Sequence, residues 1–192
     1  MAGAPSITPG IRQVYLVDPY TGLPIGDGGG SGGGVAGGPG RIYNAVFVGH
    51  AMTVAEDVFE ITVPAGKKGI IRGVLLNQFS DFGDAQAEIL SVQIIRGYAT
   101  PGTGGGGVLL GPVKLGVAGA AIGVAANRTA PASGGTPLAM IADAWNVAAG
   151  WIHQPPPAER LELGPGIHVV RVSAPVDVVT ANGTLTLEEV DT

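Results

Sequence analysis

There is no cysteine in these 192 residues, which excludes a disulfide framework, a thiolate metal site and a cysteine nucleophile. Charge is scarce as well. Asp, Glu, Lys and Arg together make up 13% of the chain, against roughly 25% in ordinary soluble domains. So few ionic groups leave a large surface poorly solvated, and much of that surface is expected to be buried in an assembly. The charge that exists leans acidic, with a formal net of −5. The arginines are dispersed, and some are expected to pair between subunits; the clustered Lys and Arg that a nucleic-acid backbone demands are missing. Lys67-Lys68 is the only adjacent basic pair, and it reads as part of a turn. No apolar run reaches the ~20 residues of a membrane span; the longest, 116–126, is mostly Gly and Ala. No basic stretch followed by an apolar one opens the sequence, so no secretory signal is expected. Neither nucleic acid nor membrane is therefore an expected partner.

Catalytic constellations are missing too. His50, His153 and His168 are far apart and form no i, i+2 or i, i+4 ligand pair. A packed or edge histidine is the expectation for His168; His153 precedes Gln154–Pro157, a polyproline-like segment that reads as a loop between strands. A cupin-like enzyme would need a cluster of His and Glu ligands. Ser31 stands in a G-x-S-x-G pattern, but glycine flanks it where a nucleophile elbow needs a strand and a helix. The G-x-G-x-x-G matches in the same tract lack a βαβ unit. Asp81 and Asp84 share a polar turn but fall short of a calcium ligand set. No enzyme activity, metal or cofactor is expected.

What the chain has in abundance is glycine, 34 residues, concentrated between Gly22 and Gly40. A flexible Gly-rich segment of about 19 residues has an r.m.s. span of about 25 Å and an extended reach of about 60 Å. Upstream of it, Ile11 to Val17 reads as one short strand between the turns Thr8-Pro9-Gly10 and Asp18-Pro19-Tyr20. A lone strand leaves its backbone groups unpaired. It must pair either with the sheet of its own domain or with another chain. The layout reads as an anchor peptide over 1–21, a tether over 22–41 and a folded head over 42–192. The expected contact residues of the anchor are Ile11, Val14, Tyr15, Leu16, Val17, Tyr20, Leu23 and Ile25.

From Ile42 onward the pattern is β. In Val58 to Val63, Phe59, Ile61 and Val63 share one face while Glu60 and Thr62 share the other. Candidate strands recur at 43–48, 58–63, 70–79, 87–96, 108–115, 159–163, 167–173 and 183–190, the last one starting from an Asn182-Gly183 turn. Such short strands with Gly and Pro punctuation predict an all-β antiparallel sandwich or jelly roll of about 8 strands. Leu138 to Trp145 fits a short helix by propensity and a strand by its apolar continuation to Trp151; the strand is the expectation.

The phrase Arg12 to Pro24, followed by the glycine tract, resembles the N-terminal arms of tailed-bacteriophage virion proteins. The phrase Leu161 to Val172, closing on Gly183 to Glu189, resembles the last strands of small phage jelly rolls. The resemblance implies a homotrimeric capsid decoration (cement) or head-fibre protein on the outer surface of the virion, made in the host cytoplasm. Its arm would bind the major capsid protein or another virion protein. Two alternatives stand beside it: a tail, collar or baseplate component, and a jelly-roll module that binds host glycans. The glycan module would need exposed aromatics, for which Tyr98, Trp145 and Trp151 are the candidates.

Overall fold

The computed structural model describes residues 41–80, 88–106, 108–114 and 117–192. The anchor peptide and almost all of the expected tether lie outside the described residues, and so do all eight anchor contact residues and the Asp81–Asp84 turn. Arg41, expected at the end of the tether, is instead the first residue of a strand, because its partner Glu189 lies directly across the ladder.

Eleven strands build two antiparallel sheets. They are β1 (Arg41–Met52), β2 (Glu56–Val63), β3 (Lys67–Ser80), β4 (Ile89–Tyr98), β5 (Leu109–Pro112), β6 (Gly123–Asn127), β7 (Leu138–Asn146), β8 (Trp151–His153), β9 (Leu161–Leu163), β10 (Gly166–Val172) and β11 (Val179–Asp191). One sheet has six strands in the order β5-β1-β11-β3-β8, with β9 pairing further along β3; the other has five in the order β6-β2-β10-β4-β7. Taken without β5, β6 and β9, the order is β1-β11-β3-β8 facing β2-β10-β4-β7, the double Greek key of a jelly roll. β8 and β9 act as one strand interrupted by Gln154–Arg160, where the prolines and a single 3₁₀ turn carry the chain away from β3. β5 and β6 come from a long excursion between β4 and β7. They extend both sheets on the same side of the sandwich.

The core lies between the sheets and follows from period-two alternation. β11 alternates buried and half-exposed residues from Val179 through Val190, sending Ala181, Leu185 and Leu187 inward. Phe59, Ile61 and Val63 on β2 meet them from the other sheet, as the alternation predicts. The segment open between helix and strand is β7: it pairs with β4 from Ile89 to Arg96 and drives Trp145 into the core, so tertiary pairing overrides helix propensity. The expected Asn182-Gly183 turn is not one. Both residues sit inside β11, and glycine is needed there because a Cβ on Gly183 would collide with the ring of Phe47 on β1. His153 is the last residue of β8, paired with Val74, and residues 154–156 after it lie outside the strands.

Candidate functional site

A group of buried ionisable side chains lies on the outer face of the five-stranded sheet. A β-bulge in β2 places it there. Phe59 pairs with Val170 and Asp57 with Arg171, so Val58 is the extra residue. Without the bulge, alternation would point Asp57 into the core beside Phe59; with it, Val58 and Phe59 both pack inward and Asp57 turns outward onto Arg171. The Arg171 Nε donates to Asp57 Oδ1 at 2.6 Å and its Nη2 to Oδ2 at 3.2 Å, while Nη1 donates to the Tyr98 hydroxyl at 2.8 Å. The guanidinium carbon lies 4.9 Å from the centre of the Tyr98 ring. Burial opposes the guanidinium charge, yet the hydrogen bonds to Asp57 and Tyr98 outweigh it and hold Arg171 above its ordinary pKa. Next to this pair, Glu60 accepts from Asn127 Nδ2 at 2.6 Å and from the Gly102 amide at 2.8 Å.

A strap covers the group. Beyond Arg96 and Leu138 the β4–β7 ladder continues as a thin ribbon: Thr136 N donates to Gly97 O, Thr100 and Ser133 exchange two bonds, and Thr103 pairs with Ala130. The ribbon folds back over its own sheet at a corner that only glycine can form. Gly97 and Gly135 have φ of +89° and +74°, and a Cβ on Gly135 would strike the Gly97 carbonyl oxygen. The folded ribbon is tied down by the carboxylates beneath it. Ala132 N donates to Asp57 Oδ2 at 2.6 Å, Ala132 O accepts from Arg171 at 2.9 Å, and Gly102 N is held by Glu60. Ile95, Val169 and Ala132 form a small second core under the strap, with Tyr98 and Ile167 packed around it. Every named member has its partners among its neighbours, which is the chemistry of a fastening and not of a reacting centre.

The other polar groups are also fastenings. Glu189, its side chain fully buried, accepts from Arg41 at 2.7 Å and from the amides of Ala121 and Ile122 at 2.7 and 2.9 Å. Lys67 adds a contact at 3.4 Å and bonds Asp191 across the β3–β11 ladder. A lysine, an aspartate and a buried glutamate on adjacent strands are the residue types for amide cross-link formation, which requires a neutral amine and a neutral acid. Here the Lys67–Asp191 hydrogen bond holds Lys67 above and Asp191 below their ordinary values, so the two remain an ion pair. His50 Nε2 meets Glu56 at 2.6 Å beside the β1–β2 turn. Asp143 accepts from the Trp151 indole at 3.0 Å, joining the β7 edge of one sheet to the β8 edge of the other. That bond holds Asp143 below its ordinary value. His153 stacks on Trp151, and burial lowers its pKa. Burial also lowers that of His168, whose Nε2 donates to Gly164 O while Nδ1 has no partner in the core.

The aromatic candidates for a sugar platform are not brought together on a surface. Trp145 is 0% and Trp151 4% exposed, both within the core, so neither ring face is available to a glycan. Tyr98 is half-buried against Arg171. Three of the dispersed arginines pair within the chain: Arg41 with Glu189, Arg72 with Glu188 and Arg171 with Asp57. Asp57, Glu60, Asn127 and Arg171 were missed as a group. The signal was present in Glu60 and Arg171, charged residues at outward positions of apolar strands in a chain with few charges. Among the described residues no group of His, Cys, Asp and Glu is placed to hold a metal ion. Comparison with known proteins finds no matching family, no matching characterised protein and no matching solved structure.

Proposed function

We propose that this chain is a non-enzymatic structural protein of a tailed-bacteriophage virion, a capsid decoration component that attaches to the major capsid protein through its N-terminal arm and presents the jelly roll outside. The observation that carries this reading is how the head uses its polar groups. The buried carboxylates Asp57, Glu60 and Glu189 are consumed in tying loops and strand ends together, while the exposed large hydrophobic side chains, such as Leu109, Val48 and Ile152, are all aliphatic. A head built this way stands and packs. The sequence supplies the other half of the reading, a strand-like peptide joined to the head by a glycine tract. The burial of Trp145 and Trp151 removes the support for a host-glycan module.

Deleting residues 1–40 tests the attachment. The truncated head is expected to stay folded by circular dichroism and to lose binding to particles that lack this chain; full retention of binding would sink the anchor reading. Copy number per particle then separates a capsid component, present in hundreds, from a tail, collar or baseplate component, present in a handful.

A further inference from the structure

We propose that copies of this chain associate through the outer face of the six-stranded sheet, packing sheet against sheet along one uncharged cross-strand row of four aliphatic side chains and a threonine. Register fixes the row. Leu109 on β5 lies opposite Val46 on β1, Val46 opposite Thr184 on β11, Thr184 opposite Leu75 on β3, and Leu75 opposite Ile152 on β8. Residues directly opposite in antiparallel strands point to the same side. Their neighbours along each strand, among them Ala45, Leu185 and Trp151, are in the core, so the row faces outward. Leu109 is 77% exposed, Ile152 65%, and Val48, two residues further along β1, 69%. Between the exposed edge residues, Val46, Thr184 and Leu75 are half-buried, and an uncharged row of four aliphatics and one threonine crossing five strands marks a contact surface where single exposed aliphatics would not.

The charge of the face identifies its occupant. Its ionic residues pair within it, Arg72 with Glu188 at 3.5 Å and Lys68 with Glu162 at 3.1 Å, and both pairs lie toward the β9 end. The row itself carries no charge, and beyond it toward the other end stand Thr180 and Asn182. Such a face is complementary to itself, since a second copy brings no unpaired like charge against it, whereas a strongly acidic or basic partner gains nothing from it. Its size also fits. The row crosses about 19 Å at strand spacing, and the outward residues of β11 run about 27 Å, giving a plane on the order of 500 Å². With a rim of side chains, that approaches the ~800 Å² per partner of a stable interface. Self-association through this face does not depend on the location proposed above, and a failure of either leaves the other standing.

Sedimentation velocity on the full chain tests it. The wild type is expected to form an oligomer whose population rises with concentration. The double variant Leu109→Asp/Ile152→Asp changes two exposed edge-strand positions. It is expected to weaken association roughly tenfold or more while leaving the near-ultraviolet circular dichroism unchanged. Val176→Asp is an equally polar change at an 89% exposed site in the β10–β11 turn, off the row. It is expected to leave association intact. A wild type that sediments as a monomer overturns the proposal, as does an oligomer that survives the double variant or one that Val176→Asp disrupts equally. If the double variant fails to fold, hydrogen exchange on the wild type at low and high concentration decides: slowing at 109–112 and 151–153 supports the face, and an absence of slowing there overturns it.

Discussion

The two sheets of this sandwich treat their outer faces in opposite ways. On the five-stranded sheet, Asp57, Glu60 and Arg171 stand outward, and a ribbon folds back over them, so that face acquires a second core and a hydrogen-bonded cover. On the six-stranded sheet, threonines, asparagines and a row of aliphatics stand outward, and among the described residues no comparable strap crosses them. The difference teaches where polar groups are used in a chain with few of them. The face closed by its own chain holds the buried charge, because burying a charge requires fixed partners and the strap provides them. The face without a strap carries its few charges in pairs, so a surface that covers it meets no unpaired charge.

The largest effect that should break this contrast is Arg171→Leu. It leaves the Asp57 carboxylate buried with its cation gone, and a loss of about 3–5 kcal/mol in urea-unfolding stability is expected. Gly135→Ala comes next, with a loss of about 1–3 kcal/mol from positive φ and the clash with the Gly97 carbonyl. Its signature is faster hydrogen exchange at Thr100 and Ser133 while the β1–β11 ladder stays protected; uniform exchange across both sheets would show that the strap is not a separate fastening. Acidification should produce a smaller, graded loss. The folded-state pKa values of His153 and His168 lie below the ordinary 6.5, so the unfolded chain binds protons first. Stability from these residues is full above about pH 6.5 and falls as pH drops through the folded values. His168→Gln should flatten part of that slope in thermal melts across this range. Smallest of all is Leu75→Thr on the uncovered face, expected to change the stability of the isolated head by no more than about 0.5 kcal/mol. A large loss there would mean that the face belongs to the folded unit itself.

Much of the architecture was legible in the sequence because alternation is a local signal. Phe59, Ile61 and Val63 against Glu60 and Thr62 are enough to determine the inward face of β2. The same locality explains the misreadings. Asn182-Gly183 is a strong turn dipeptide, and only the ring of Phe47, 136 positions away by numbering, explains why a glycine sits mid-strand. The bulge at Val58 has no sequence signature, yet it decides whether Asp57 faces the core or Arg171. Trp145 and Trp151 read as candidates for exposure because composition cannot say which loops return to cover a ring; β7 and β8 bring both into the core. The ion group under the strap is assembled from four separate stretches of chain, around residues 57–60, 98–102, 127–132 and 171. None of them is informative by itself.

The position of β11 between β1 and β3 has a consequence in time. Arg41 and Glu189, which meet across the β1–β11 ladder, are separated by 148 residues of chain. At a synthesis rate of roughly 5–20 residues per second, β1 waits roughly 7–30 s for its neighbour. Throughout that interval Ala45 and Phe47 lack the strand that buries them, and β1 offers an open ladder to any other nascent copy. A ribosome translating slowly through residues 140–190 would lengthen this exposure without changing a single atom of the finished protein. Yield of this chain is therefore expected to respond to codon choice in that stretch and to the crowding of ribosomes on one message.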